Sequence, residues 1–542
     1  MSTGTITPYR SSQQPGRDDF AHLLRAEWTK FRTVRGWVMA MAGAALLTVL
    51  AVVALAAAAS GGQNPAANPA APAAIGPDNP TVAIGPGGEA VTDDFYFVHQ
   101  PLDGNGSITA RVTSLTSSML PGEAPPGEAT PRGPQPWAKA GIIIKASTTP
   151  GSAYAAVMAT PGHGVRMQWN YTSDTAGLPG AVSAASPRWL RLTRSGDTVT
   201  GYDSADGSHW TQIGTATLPG LPHTVPAGLF VAAPYNLAAT ENFASNTVGQ
   251  FPTRATAVFD RVRLPGGQPG ATWSARSVGR AIGQKVKVFS TRKIRELADS
   301  LVRSGGTFRV TGYGGDIAPY MTTEDPLGLA LKGTAIGLIA VIALGALFIT
   351  AEYRRGLIRT TFAASPRRGQ VLAAKAIVIG VVTFVAGLVG AAVAVLIAER
   401  KLHSGGWVSS VYPVWSLTSA HGVQIVAGTA GLLAVTAILA LSAGAVLRRS
   451  AGAITAVVVL VIVPLILAII LPQSPGLWVL RLTPAAGFGV QRGIPQYSQV
   501  MNICEPHNGC FPLAPWTGFA VSCAWAAAAL GLAVYLLRRR DA

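Results

Sequence analysis

Few residues in this sequence have the types and spacing that catalysis needs. No G-x-x-x-x-G-K-S/T phosphate loop occurs, so ATP hydrolysis is not expected of this chain. Neither H-E-x-x-H nor G-x-S-x-G is present, and no histidine–carboxylate cluster has zinc spacing. Asp203-x-x-Asp206-Gly207 starts like a calcium loop but lacks the alternating ligands and closing glutamate, so it reads as a hairpin turn. Glycoside hydrolysis takes two carboxylates flanking one bond. No such pair lies on one predicted strand, although acids on different strands could converge. The chain is read as a non-enzyme with no metal or cofactor of its own.

Three groups of residues remain. Trp137, Trp169, Trp189, Tyr202 and Trp210 could offer stacking faces to a sugar, though aromatic residues in strands more often fill a core. Cys504 and Cys510 are close enough in sequence to close a small ring in an oxidising space, and Cys523 is a small filler in an apolar run. The third group is Glu352-Tyr353-Arg354-Arg355-Gly356-Leu357-Ile358-Arg359, which leads through Thr361 and Phe362 to a break at Ser365-Pro366. Its spacing predicts a short helix with an apolar edge and a basic face. Such a helix suits a groove on a partner, with acidic lipid as the other candidate surface.

The elements that must hold these groups are mostly apolar. Of 542 residues, 49% are hydrophobic and 12% charged, against roughly a quarter charged in soluble proteins. Crossing a bilayer takes about 20 apolar residues in a helix. Six runs qualify: Trp37–Ala59, Leu327–Thr350, Ala376–Ala398, Val423–Leu447, Ala451–Leu471 and Trp516–Leu537. The first is too long, and too far from the N-terminus, to read as a signal peptide. Lys332 is the one charged residue set well inside a run, near its outer end, where it can snorkel. Ion-coupled carriers normally keep intramembrane charges, so any transport here needs an outside source of energy.

The net charge of +17 reports orientation. Arg10, Arg17, Arg25, Lys30, Arg32 and Arg35 flank the first run. Arg354, Arg355, Arg359, Arg367, Arg368 and Lys375 lie between the second and third, with Arg448, Arg449 and Arg538–Arg540 at later ends. The opposite short loops hold only Arg400, Lys401, Arg481 and Arg492. By the positive-inside bias both termini are cytoplasmic, residues 60–326 are extracellular, and the protein sits in the cell membrane. The outer segment is nearly neutral, with twenty basic and eighteen acidic side chains, which argues against nucleic acid as a partner.

Residues 1–36 form a cytoplasmic tail in which Phe20, Leu23, Leu24, Trp28 and Phe31 mark one face of a basic amphipathic helix. Such a helix should lie in the membrane interface, capped by Asp18 and Asp19. Residues 37–59 are the first span and 60–86 a linker rich in alanine, proline and glycine. Short alternating runs with turn signals over 87–265 predict an all-β sandwich or jelly roll. The 266–326 segment is basic, and Ile294, Leu297 and Leu301 predict a helix within Ser274–Val310. Residues 327–542 carry spans two to six. Gly333-x-x-x-Gly337 would allow a close helix contact, Pro464 should kink the fifth span, and part of Pro472–Pro515 should dip back into the membrane. The fold class is a six-span helical membrane protein carrying an all-β sandwich.

Two stretches resemble a known family. Leu24-Arg25-Ala26-Glu27-Trp28-Thr29-Lys30-Phe31-Arg32-Thr33-Val34-Arg35, and Glu352 to Arg359 with Ser365-Pro366-Arg367-Arg368-Gly369 and Lys375, are similar to permeases of actinobacterial ATP-binding-cassette (ABC) exporters of the type-2 class. The resemblance covers the membrane part. It implies that the first helix is a connecting helix and that 352–370 holds a coupling helix. In that helix Glu352, Arg354, Arg355, Gly356, Leu357, Ile358 and Arg359 would dock on a separate ATPase subunit that binds ATP and Mg. A second permease copy or homologue would complete the path. The departure is the long insertion between the first two spans. There Ala140–Lys145, Gly164–Trp169, Leu190–Leu192 and Gly201–Trp210 resemble concanavalin- or laminin-G-like sandwiches, folds that often bind carbohydrate. Trp137, Trp169, Tyr202 and Trp210 are the ligand contacts that likeness suggests. The sequence therefore reads as an exporter permease with an outer domain for cell-wall glycan or another ligand. A membrane-anchored glycan-binding or sensing protein, and a surface enzyme acting on polysaccharide, are the competing readings.

Overall fold

The computed structural model describes residues 20–61, 83–120, 134–242, 245–279, 286–290, 293–320, 325–354, 356–357, 367–405, 411–412, 415–504 and 510–539. Most of the linker and the Asp18–Asp19 cap lie outside these residues.

Six helices are long and apolar enough to cross a membrane, so this is a membrane protein. An amphipathic helix α1 (Phe20–Thr33) precedes α2 (Arg35–Gly61), the first of them. After the β domain come α3 (Pro326–Leu331), α4 (Thr334–Arg354), α5 (Arg368–Ser404), α6 (Ala420–Leu447), α7 (Ser450–Val461) and α8 (Val463–Ile470). The chain closes with α9 (Gln473–Leu482), a 3₁₀ helix over Pro484–Gln491 and α10 (Pro515–Arg539). Helix α6 is buried over most of its surface, packed by α4, α5 and α10.

Small residues let the helices approach. A Cβ on Gly333 would lie 2.7 Å from the Ala51 backbone, and one on Gly337 would collide with Thr48, so the Gly-x-x-x-Gly pair faces α2. At Gly345 a Cβ would lie 2.5 Å from the Ala437 carbonyl oxygen of α6. Pro464 cannot donate to a helix ladder, and the fifth span breaks at Ile462 into α7 and α8. The 3₁₀ helix is wholly buried between α6 and α10. Its irregular backbone finds a partner there, since Ser522 donates to the Pro484 carbonyl (2.7 Å), and the Gln491 side-chain amide donates to the Thr334 hydroxyl (2.8 Å).

The inserted domain consists of two seven-stranded antiparallel sheets packed face to face. The first runs β11 (Thr211–Thr217), β10 (Thr198–Ser204), β9 (Arg188–Ser195), β4 (Gly106–Met119), β15 (Thr253–Arg263), β20 (Thr307–Tyr313) and β19 (Ser300–Ser304). The second runs β16 (Ser274–Val278), β3 (Phe95–Asp103), β12 (Thr224–Ala232), β5 (Lys139–Lys145), β6 (Tyr154–Thr160), β7 (Gly164–Trp169) and β8 (Ser173–Ala176). Ile142, Ile144, Val157, Met167, Leu190, Leu192, Leu229 and Phe259 fill the space between them.

The second sheet is buried on both faces. Its outer side carries Phe95, Phe97, Ile143, Tyr154 and Phe230, covered by a small sheet of β1 (Ala83–Ile84), β2 (Ala90–Asp93) and β21 (Ile317–Pro319). Lys139 and Lys145 share that side of β5, and both are fully buried. Lys145 meets Asp93 at 2.8 Å, and Asp93 also accepts from the Gly151 N–H (2.7 Å) and the Tyr171 hydroxyl (2.8 Å). Lys139 meets Asp316 at 2.6 Å. These pairs fasten β2 and the start of β21 onto the sheet.

The helix expected within Ser274–Val310 is not formed. The described part of that segment is β-strand, and the domain ends at β21 rather than near residue 265. Phe308, Val310 and Gly312 are buried while Arg309, Thr311 and Tyr313 alternate outward, a period of two. Gly305 and Gly306, both with positive φ, turn the chain between β19 and β20. The helical spacing of Ile294, Leu297 and Leu301 is spread over β18 (Lys293–Leu297) and β19.

Lys145→Met leaves the Asp93 carboxylate buried without its cation and should cost the sandwich about 3–5 kcal/mol. Adding Asp93→Asn should recover part of that, because it removes the charge but keeps an acceptor. Pulse proteolysis in urea on the full-length protein in detergent, following the sandwich fragment, measures both; equal stability of Lys145→Met and wild type would contradict the account.

Candidate functional site

At the end of the bundle remote from the sandwich, four charged side chains meet. Lys375 enters from α5, Glu352 from the last turn of α4, and Glu27 and Lys30 from α1. Lys375 Nζ lies 2.7 Å from Glu27 Oε2 and 2.6 Å from Glu352 Oε1. Lys30 Nζ lies 2.8 Å from Glu27 Oε1 and 3.5 Å from Glu352 Oε1. The Lys375 side chain is fully buried and Glu27 nearly so, while Lys30 is half exposed. Phe348 lies 5.0 Å under the Lys375 ammonium, and the Phe31 and Trp37 rings meet Phe348 edge-on.

Two positive and two negative charges balance, so none is left uncompensated in an apolar setting. Such a cluster adds little net stability, but it permits one geometry. It fixes α1 against the point where the chain leaves α4.

That exit is set by glycine. Gly356 has φ +70°, and its N–H bonds the Tyr353 carbonyl at 3.2 Å, ending the helix in the left-handed manner glycine allows. Arg354, Gly356 and Leu357 are exposed there, with Leu357 48% accessible. Arg355, Ile358, Arg359 and the rest of the predicted coupling helix to residue 366 lie outside the described residues. Nearby, Arg448 lies over Tyr353 at 5.5 Å and Arg368 donates to the Leu537 carbonyl at 3.2 Å. The C-terminal ends of α4, α6 and α10 and the start of α5 thus share this end.

The sequence pointed to Glu352 and Arg354 but gave no partner to Glu352. Helix α5 begins at Arg368, well before the apolar run expected from Ala376, and this takes Lys375 into the helix and into the core. Opposite charges at Glu27 and Lys375 were the available signal; their separation of 348 residues hid the pairing. Buried charge also appears at the other end, where Asp325 caps α3 through the Gly328 N–H (2.7 Å) and Glu399 accepts from the Trp415 N–H (3.0 Å).

The aromatic candidates of the sandwich do not converge. Trp137 is 5% exposed, stacked on His163 with ring centroids 3.7 Å apart. Trp169, at the other end of β7, packs on the core between the sheets. Tyr202 and Trp210 lie on the outward side of the first sheet, where Tyr202 pairs with Arg191, and the Arg191 guanidinium sits 3.8 Å over Trp210. Asp206 receives its own turn, accepting from the N–H groups of Ser208 and His209 and pairing with the His209 ring. Those bonds, the His209 ring foremost, hold its carboxyl well below the usual range. No group of three metal-ligating side chains occurs among the described residues.

Cys504 and Cys510 form a disulfide in the loop before α10. The same loop reaches the sandwich: Gln499, buried, donates to the carbonyls of Tyr171 and Thr172, both at 3.2 Å.

No family model and no curated protein matches this chain. Among solved structures it is similar to scytalido-glutamic peptidase with a transition state analog inhibitor, at 9% identity and TM-score 0.23, over 42% of this chain and 100% of that one. A functionally unknown protein from Saccharomyces cerevisiae follows at 14% identity and TM-score 0.18, over 31% and 74%. Peanut lectin with a 9mer peptide matches at 10% identity and TM-score 0.16, over 38% and 95%. Similarity at these levels carries no argument about function.

Lys375→Ala leaves Glu27 and Glu352 facing each other without a buried cation, at a cost of about 3–5 kcal/mol. Helix α1 should then open locally, and native-state trypsin cleavage at Lys30 and Arg32 should accelerate by about a hundredfold or more. Unchanged cleavage would show that the network does not hold α1.

Proposed function

We propose that this protein is the permease subunit of an ATP-binding-cassette transporter, working as an exporter with a separate cytoplasmic ATPase. The observation that carries the reading is the buried network of Glu27, Lys30, Glu352 and Lys375. A helix that only anchors a protein to the membrane has no need to be locked by buried charge to a chain reversal between two spans. A helix that relays force from a partner needs such a joint. The exposed Arg354 and Leu357, presented beyond Glu352 by the turn at Gly356, give a partner a basic and apolar point of contact.

The positions of the other arginines support the same side as cytoplasmic. Arg354, Arg368, Arg448, Arg449, Arg538 and Arg539 all lie at the α1 end, and the sandwich stands at the opposite end. In this reading both termini are inside, a second permease copy or homologue faces this one, and ATP and Mg act in the partner alone. The sandwich, of concanavalin or laminin-G kind, meets cell-wall carbohydrate or another ligand outside.

Arg354→Glu with Leu357→Glu reverses the charge and polarity of the exposed tip without touching the buried network. Tagged wild-type protein drawn from mild detergent should bring down an ATPase, and the double variant should lose at least tenfold of it. If neither protein retains an ATPase in several detergents, the chain is better read as an anchored outer-surface binding protein.

A further inference from the structure

The broad faces of the two sheets differ in what covers them. The outer face of the second sheet lies under β1, β2 and β21, and in chain order this small sheet stands between α2 and α3. Gln499 of the last loop also meets the domain on this side, at the turn beyond β7. The outer face of the first sheet carries no such cover among the described residues and is turned away from those attachments.

Its composition is uneven. The segment as a whole is nearly neutral, yet this face presents Arg111, Arg191, Arg254, Arg263 and Arg309 with Asp260 as their acidic neighbour. Asp260 is used up by Arg111, which grips it through both nitrogens at 2.7 and 2.5 Å. Arg254, Arg263 and Arg309 are exposed, and no ion pair holds them among the described residues. The register sets Arg263 and Arg191 in one row across the strands, while Arg309, opposite Val258, and Arg254, opposite Tyr313, stand in others. Arg263 pairs with Thr109, Thr109 with Arg191, and Arg191 with Tyr202. Two strand spacings separate Arg191 from Arg263, about 10 Å. Around them the same side shows hydroxyls: Thr193, Thr200, Thr215, Thr256 and Thr311.

The two tryptophan rings here are already in contact with cations. Arg191 lies over Trp210, Arg111 lies 5.5 Å over Trp189, and Gly207 closes on the Trp189 ring so tightly that a Cβ would sit 2.6 Å away. The ring face under the guanidinium is closed to a neutral sugar. What it does is hold a guanidinium flat and extended, so that less freedom is lost when its N–H edge meets an anion.

We infer that the exposed face of the first sheet is a binding surface for an anionic polysaccharide, with Arg191, Arg263 and Arg309 meeting its charges and the threonine hydroxyls its sugar hydroxyls. The inference deepens the reading that the sandwich meets carbohydrate outside the cell, and it names the charge class of that ligand. Being between exposed groups, the interaction weakens as salt rises.

The test uses the full-length protein in detergent, immobilised and offered polygalacturonate, neutral dextran or poly-L-glutamate. Wild type should retain polygalacturonate at 0.1 M salt in preference to both others and release it at 0.5 M. Arg263→Glu with Arg309→Glu should lower retention at least tenfold, and the equal charge change Arg538→Glu with Arg539→Glu, at the far end of the molecule, should leave it unchanged. Equal retention of dextran or poly-L-glutamate, or an equal loss in the far-end variant, would overturn the inference. Co-purification of an ATPase from the same preparations separates the outcomes: its absence counts against the permease reading, and loss of polygalacturonate binding counts against this surface alone.

Discussion

One buried ammonium holds the helical part in register. Lys375 sits on the third long helix, and its two carboxylate partners come from the first amphipathic helix and the end of the second long helix. A lysine placed there without them would be discharged or driven out, since an uncompensated charge in an apolar core costs several kcal/mol. The site therefore exists only when all three helices are assembled. Phe31, Trp37 and Phe348 close around it and keep water from competing. The packing above follows from small residues: glycines at Gly333, Gly337 and Gly345 bring α4 against α2 and α6 closely enough that side-chain geometry, rather than lipid, sets the distances.

The β domain solves a different problem. A chain that leaves a bundle and must return to it needs the two ends of any insertion close together. Strand β2, soon after the first span, pairs with β21, just before the second, through Val91–Pro319 and Asp93–Ile317. The buried Lys145–Asp93 and Lys139–Asp316 pairs pin that junction to the sandwich. About two hundred residues fold between neighbouring strands, so the bundle is spared any rearrangement to accommodate them.

Much of this was legible in the sequence because the signals are local. A run of twenty apolar residues is a span whatever surrounds it, and Gly-x-x-x-Gly or Pro464 acts within its own helix. Alternation gave the sandwich, and the unbroken apolar run Gly141–Ile144 belongs to a strand buried on both faces. Local signals misled where two patterns overlapped, as in Ser274–Val310, whose apolar residues fit a helix by spacing while the strands around Gly305 and Gly306 obey a period of two. Helix ends were the other weak point. Arg368–Lys375 lies before the apolar run that starts at Ala376, yet it forms the first two turns of α5, where Lys375 meets carboxylates from afar. Pairings across hundreds of residues, such as Glu27 with Lys375 or Gln499 with Tyr171, leave no mark on the segments that make them. The aromatic candidates show the same limit: sequence supplies the ring, and only the fold decides whether its face is free.

Tyr171 joins three stretches of chain. Its backbone lies in the left-handed region at φ 63°, its carbonyl accepts from Gln499, and its hydroxyl bonds Asp93 on the strand that follows the first span. The inserted domain is thus seated on the last loop as well as strung between the first two spans. Its distance from the helical bundle is then a property of this seat, fixed by bonds at Tyr171 on one side and Gln499 on the other.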